Sequence, residues 1–468
     1  MSSCISNKNV EFDKLCQALP NSVLTAAELC ALPHSLNDTL AYKIIHDFGN
    51  FNGTTRSIWA EIKQQPFVYP YEKGGWRFNE RARAYFISRL EQQNGTFLKL
   101  HDYLKTYFET ERLQMSQYDC PHGRELEWRA AYHLAPLSPE EAVKKISDIG
   151  ENAAHAYRLA DMKSVIDLFE EQKRWLAPYQ LERTYFEGRY AYANHDYGTA
   201  EKRFKFIWEN CKSNEIKIIS GHLLGIIWKR SGKRHSLKNA ETLLLECLEL
   251  CILTNRQFQQ AQVQNSLGSV LVTVGGFIRL LEAEKYFQDS LTVFRNFGDK
   301  RGIAISLNNL GNVYLKLGEI QQLDAVRKDD FEKAKNYFQD SLTLIRNVGN
   351  KRGIAIVLGR LGRLHLKLWE NPHLGESNKD ELDEAEKCFQ ESLVLVQYLG
   401  DRRGEAIIFY ELAKLFVAKD KTDMARQCIE NGIFINEEIG NSRAVKKGKM
   451  ELKCINLNMT AERSNSNL

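Results

Sequence analysis

Apolar residues return every three or four positions through most of this chain, the period of a helix with one buried face. Around Ala283 the stripe is Ala283, Phe287, Ser290, Leu291 and Phe294. A second stripe, Leu307, Leu310, Gly311 and Tyr314, predicts a helix over about 302–317. Small residues at Ala283 and Ser290 let a neighbouring helix come close, and Gly311 has no side chain where two helices cross. The pattern predicts a helical hairpin, and the hairpin repeats. AEKYFQDSLTVFRNFGDKRGIAISLNNLG from Ala283 returns as AKNYFQDSLTLIRNVGNKRGIAIVLGRLG from Ala334 and as AEKCFQESLVLVQYLGDRRGEAIIFYELA from Ala385. Weaker copies start at Ala200, Ala240 and Ala425. The longer repeats carry extra residues, EIQQLDAVRKDD and ENPHLGESNKDE, which are expected in loops because the helical pattern resumes in register after them.

Small-xxx-aromatic-xx-small on one helix and Leu-Gly-xx-Tyr on its partner resembles the tetratricopeptide repeat (TPR) in its long, 40-residue form. The resemblance implies an all-α, TPR-like α-solenoid superhelix over residues 179–440 that binds a partner on its surface. Eight of the nine prolines precede position 179, as expected if the remainder is helix with its interior protected from breakage. A capping helix is expected over 441–457, with Val445, Leu452 and Ile455 on one face, and a disordered tail over 458–468.

Residues 1–110 do not join the repeat. Short helical patterns at 12–19, 25–32, 38–48 and 55–65 lead into PFVYPYEKGGWRFN, whose apolar runs flank Lys73, Gly74 and Gly75 and predict a β-hairpin. Helices followed by such a hairpin outline an N-terminal winged-helix-like domain. Placed ahead of a TPR array, it resembles the back half of MalT-class signal-transduction ATPases, without their ATPase domain, since no GxxxxGK[ST] loop occurs. A helical connector is expected over 111–178, with Ser138, Pro139 and Glu141 as a capped helix start.

Charge narrows the function. Sixty-four Lys plus Arg against 60 Asp plus Glu leave +4, and residues 441–468 account for that excess, so the body is neutral. A nucleic-acid binder concentrates positive charge, and the candidate reading helix offers only Arg56 and Lys63, so nucleic acid is not the expected partner. The chain has no apolar run of membrane-spanning length and no secretion signal, which points to a cytoplasmic protein with no membrane contact. Ten cysteines without a CxxC pair are expected as reduced thiols in packing, Cys247 and Cys251 included. No catalytic, cofactor or metal motif is found, so no enzyme activity, cofactor or metal is expected.

What remains is the groove of the array, lined by the first helix of each hairpin. Positions flanking the Leu-Gly pair give Asn265, Ser266 and Ser269, then Asn308, Asn309 and Asn312, then Gly359, Arg360 and Arg363, then Glu411 and Lys414. Asparagine can pair with a peptide backbone and arginine with a carboxylate. The expected partner is a protein or peptide segment, extended and acidic or carboxylate-ended, and the expected role is that of a scaffold or adaptor. Asn309 and Arg360 match two positions at which related TPR proteins clamp a terminal carboxylate, while Ile356 stands where those have lysine. The corners GDKRG, GNKRG and GDRRG align Arg301, Arg352 and Arg403 as a candidate anion row, though helix-end electrostatics alone also account for them. Two other readings stay open: a DNA-linked transcriptional regulator with a TPR sensor, and a separated sensor arm of a signalling ATPase.

Overall fold

In the computed structural model, which describes residue 12 and residues 14–49, 51, 53–72, 74–115, 120–156, 158–320, 324–371 and 378–465, almost every element is a helix. The chain divides into two compact units, residues 1–203 and 204–468.

The first unit opens with α1 (Asn21–Cys30), α2 (Asp38–Phe48) and α3 (Thr55–Lys63). Asn37 and Thr54 start two of these helices. Asn37 Oδ1 accepts the Leu40 N–H at 2.7 Å and Thr54 Oγ1 the Ser57 N–H at 3.3 Å, satisfying donors that a helix start leaves bare. β1 (Val68–Pro70) then pairs antiparallel with β2 (Trp76–Phe78), the hairpin the sequence predicts. Lys73 lies outside the described residues. Leu36 adds a further bridge, exchanging two backbone hydrogen bonds with Trp76 at 2.9 and 2.7 Å. Gly75 is required there, since its φ is +88° and a Cβ would lie 2.3 Å from the Leu36 carbonyl oxygen. Phe12, Phe67, Phe78 and Phe86 form the aromatic centre, edge to face at 5.4 to 5.9 Å in the Phe67–Phe86, Phe12–Phe67 and Phe78–Phe86 pairs.

The unit continues through α4 (Glu80–Glu91), α5 (Asn94–Leu113), α6 (Pro121–Leu134), α7 (Pro139–His155), α8 (Leu159–Glu171), α9 (Lys173–Leu176) and α10 (Gln180–Ala193). Ser138 precedes α7 as expected, but its hydroxyl makes no capping bond. The start rests instead on the fixed φ of Pro139 and on Glu140 and Glu141 at the positive helix end. The boundary between units falls within α11 (Tyr197–Asn210).

Among the described residues the second unit holds five hairpins followed by a further helix. The hairpins are α12 (Asn214–Ser231) with α13 (Arg234–Leu253), α14 (Gln257–Val274) with α15 (Phe277–Phe297), and α16 (Lys300–Ile320) with α17 (Asp324–Val348). They continue as α18 (Lys351–Trp369) with α19 (Asn378–Tyr398), and α20 (Arg402–Ala418) with α21 (Thr422–Glu438). The sequence motif explains the crossings of the three middle hairpins. A Cβ on Gly268, Gly311 or Gly362 would come within 2.8, 2.7 and 2.6 Å of Phe287, Phe338 and Phe389, so the phenylalanine of the second helix fills the place of a side chain on the first. Ala283, Ala334 and Ala385 are fully buried. Ser290, Ser341 and Ser392, also buried, donate to the carbonyls of Ala261, Ala304 and Ala355 at 2.9, 2.7 and 2.8 Å, one latch per hairpin. Gly298, Gly349 and Gly400 end the second helices in the left-handed region. Asn350 and Asp401 then cap the next helices through Gly353 and Gly404 at 3.0 and 2.9 Å.

One expectation is corrected. The insertion EIQQLDAVRKDD is largely helical: α16 runs to Ile320 and α17 begins at Asp324. It lacks proline and glycine, and the added turns bury Phe331 against Gly318, where a Cβ would lie 2.6 Å from the ring. Half of ENPHLGESNKDE, residues 372–377 including Pro372, lies outside the described residues, and the helix α19 begins within its last four residues. The chain closes with α22 (Ser442–Asn465), which packs Val445 and Leu452 onto the preceding hairpin. The helix extends beyond the expected 441–457, and residues 466–468 lie outside the described residues.

Candidate partner-binding groove

The first helices α12, α14, α16, α18 and α20 pack against one another in succession, so their outward faces join into one surface. Residues four apart share a helix face. Each of three helices therefore presents a column: Arg301, Ile305 and Asn309 on α16, Arg352, Ile356 and Arg360 on α18, Arg403, Ile407 and Glu411 on α20. The isoleucines are exposed.

Two of the expected contact residues are not available to a partner. Asn265 and Asn308 are buried, 7% and 8% exposed. Asn265 sits where α14, α15 and α16 converge. Its Nδ2 donates to Ser290 Oγ at 2.6 Å and Ser306 Oγ at 2.7 Å, and its Oδ1 accepts from Asn309 Nδ2 at 3.2 Å. The carbonyl of Asn308 accepts from Arg360 Nη1 at 2.8 Å, and Asn309 Oδ1 accepts from the same nitrogen at 3.5 Å. A chain of polar contacts thus runs from the core at Asn265 through Asn309 to Arg360.

Two of the expected cations carry their own counter-ions. Arg363 pairs with Glu319 at 2.6 Å, and Lys414 with Glu411 at 3.0 Å. In the candidate anion row, Arg352 reaches Asp401 at 3.7 Å, while Arg301 and Arg403 are exposed. Arg403 and Lys414 share a cavity of about 250 Å³ with Tyr410 and Glu411.

Asn309, Asn312 and Arg360 line a second cavity of about 290 Å³ together with Ser269, Lys316 and Lys229. Lys229 escaped the sequence reading. It stands four residues after Gly225, where the aligned positions after Gly268, Gly311 and Gly362 hold Val272, Leu315 and Leu366, so a lysine in an apolar register was the available signal. Its ammonium donates to Ser269 Oγ. Burial first, then the charges of Arg360 and Arg230, push its pKa down to about 8. Burial, then Arg363, pulls Arg360 down to about 10, still charged at neutral pH. Among the described residues neither Lys229 nor Arg360 has a carboxylate partner.

Elsewhere the chemistry is quiet. Among the described residues no group of histidine, cysteine and carboxylate side chains is placed to hold a metal, and no helix is long and apolar enough to cross a membrane. Cys247 and Cys251 are buried free thiols, both pushed up by burial, Cys251 to about 11. The histidines scattered in sequence are partly gathered in the first unit. His133 Nδ1 lies 3.0 Å from His101 Nδ1, and His34 stacks edge-on against Trp128 and Tyr132.

No family profile matches the chain. Over 223 residues, 44% of this chain, it is 24% identical to the regulatory protein AfsR of Streptomyces griseus, and it spans about a fifth of that protein's length, 22%. Among solved structures it resembles a signal transduction ATPase with numerous domains (STAND) from Pyrococcus horikoshii that carries a tetratricopeptide repeat sensor. That likeness has a TM-score of 0.55 and 12% identity, and covers 97% of this chain and 66% of that one. NprR in complex with its cognate peptide NprX aligns with a TM-score of 0.47 at 16% identity, over 68% of this chain and 89% of that chain. Repeated hairpins locked by glycine, phenylalanine and serine at fixed register, and the structural likeness to a protein with a TPR sensor, show the fold: the repeat region is a TPR-like α-solenoid.

Proposed function

We propose that residues 204–468 capture a segment of a partner protein on the face of the first helices, without a covalent step. The observation that carries this reading is the cavity in which Lys229 and Arg360 converge with neutral partners only. Charge held away from water without a counter-ion is costly, and an acidic segment would supply the missing charge. The isoleucine row beside it offers apolar contact, and Arg301 and Arg403 at its edge favour the same sign of ligand. Of the residues singled out from sequence, Asn309, Asn312 and Arg360 are the proposed contacts. Arg363 and Lys414 would contribute only by exchanging their glutamates.

The test is affinity capture from cell extract with wild type and with Asn309→Ala combined with Arg360→Ala. The double variant is expected to lose the partner while its helical circular dichroism stays unchanged. Equal capture by both proteins overturns the groove assignment.

A sensor arm acting with a nucleotide-hydrolysing protein is the second reading. It is favoured by the likeness to the STAND protein, which extends over 97% of this chain, and co-purification with such a protein would support it. Reading of DNA by α3 is less favoured: Lys63, one of its two basic side chains, is held by Asp38 at 3.2 Å, and Ile58, Trp59 and Ile62 are buried.

A further inference from the structure

Basic side chains in the second unit commonly meet a carboxylate. Arg279 meets Glu241 at 2.8 Å, Arg346 meets Glu391 at 2.8 Å, and Lys419 meets Asp383 and Glu386, both at 2.6 Å. The cavity of Lys229 and Arg360 departs from this pattern. Three cations, Lys229, Lys316 and Arg360, come to it from three different first helices, and among the described residues none has an ion pair. Arg360 uses one terminal nitrogen on the Asn308 carbonyl, and its other nitrogens make no hydrogen bond among the described residues. Ser269, Asn309 and Asn312 add neutral polar groups to the wall, with Thr273 beside them.

We infer that this cavity is a site for a doubly charged oxyanion, a phosphate or a phosphate monoester, held by Lys229, Arg360 and the amide of Asn312. The inference deepens the groove reading and rests on it for the identity of the face. Two fixed cations and a third at the rim are balanced by a dianion better than by a single carboxylate. A guanidinium with unused donors matches adjacent phosphate oxygens, and an ammonium meets the third as a point charge. The volume, about 290 Å³, exceeds what a bare ion fills and leaves room for the group that carries it. That group is either a phosphorylated side chain of the captured segment or a free phosphorylated small molecule; both present the same oxyanion. The depressed pKa of Lys229 supports the arrangement, because the charged groups that face it, Arg230 on its own helix, Arg360 on α18 and Lys316 on α16, are all positive.

The test uses the full chain and thermal unfolding at pH 7, comparing sodium phosphate with sodium chloride and sodium acetate at equal ionic strength. A ligand that binds only the folded state raises Tm. Phosphate is expected to raise it above chloride and acetate, and Lys229→Met and Arg360→Gln are each expected to weaken phosphate binding at least tenfold. Lys229→Arg, which keeps the charge, should retain the response. A phosphoserine peptide binding tighter than inorganic phosphate supports a modified segment as the source, and the reverse order supports a small molecule. Absence of a phosphate-specific shift, an equal response in the two neutral variants, or acetate acting as well as phosphate overturns the inference. Because the probe is a small ion, such a failure is distinct from failure of partner capture by the Asn309→Ala and Arg360→Ala protein, which is read with the partner itself.

Discussion

Asn265 uses both ends of its amide inside the protein, donating to Ser290 and Ser306 and accepting from Asn309. Its place is to hold Asn309, and through it Arg360, at a fixed height on the groove. Asn265→Ala removes the partner of three polar groups, two of them buried, and is expected to destabilise the second unit by about 1–3 kcal/mol in urea unfolding. Partner capture should weaken as well, although Asn265 touches no partner. Unchanged capture in a folded Asn265→Ala protein would show that Asn309 keeps its place without it. The sequence marks Asn265 and Asn308 as polar residues beside a Leu-Gly pair, and a helical wheel puts both near the surface. The hydroxyls that draw Asn265 inward come from two other helices, so its burial could not be read from its own helix.

At the scale of the element, a hairpin depends on one glycine meeting one aromatic ring. Gly311→Ala and Gly362→Ala each place a methyl within 2.7 Å of Phe338 or 2.6 Å of Phe389. Alanine gains up to about 1 kcal/mol of helix propensity over glycine, but overpacking at a rigid crossing costs about 1–3 kcal/mol. Both variants are expected to be less stable on balance. Gly359 supplies the contrast on the same helix as Gly362. A Cβ there meets only the flexible end of Ile408 at 3.0 Å and Ser392 Oγ at 3.7 Å, so Gly359→Ala should leave the urea midpoint nearly unchanged. A Gly359→Ala protein as unstable as Gly362→Ala would remove the ring contact as the explanation. The hairpins are written plainly in the sequence because the glycine-on-ring contact recurs at the same offset in three successive copies, Gly268 on Phe287, Gly311 on Phe338 and Gly362 on Phe389. The helical extension, to Ile320 on one helix and from Asp324 on the next, was missed because an insertion in a repeat alignment looks the same whether it adds a loop or adds turns to two helices. Phe331, buried on Gly318, decides the matter.

For the molecule as a whole, pH separates the two units. In the first, burial is the leading cause that drives His34 down to about 4, against the opposing hydrogen bond to Glu171, and His101 to about 3; it lowers His133 as well, where neighbouring positive charge adds to the shift. An unfolded imidazole titrates near about 6.5. Between these values the unfolded chain takes up protons that the folded unit refuses, so the stability present above pH 6.5 is lost as the pH falls toward 4. At pH 5 one such histidine costs about 2 kcal/mol, from 1.36 kcal/mol per unit. Hydrogen exchange at pH 7.5 and 5, corrected for intrinsic rates, is expected to show the opening free energy of residues 21–171 falling by several kcal/mol and that of the second unit falling less. An equal change in both units would mean that these imidazoles are not held neutral by burial.

Periodicity and composition by themselves determined the repeated hairpins and their register, the β-hairpin at Gly75 and the phase of glycine, phenylalanine and serine at the three middle crossings. Those features depend on which residues lie three or four apart on one helix, and that spacing is a property of the chain. Only the tertiary structure decided that Asn265 and Asn308 turn inward, that Arg363 is matched by Glu319 from a neighbouring helix, and that Lys229 and Arg360 share one cavity. It also gathered His101 and His133, 32 positions apart, within 3.0 Å. The reason is physical: a helical period fixes the direction in which a side chain leaves its own helix, while its partner is whatever group the stacking of other helices brings to that point.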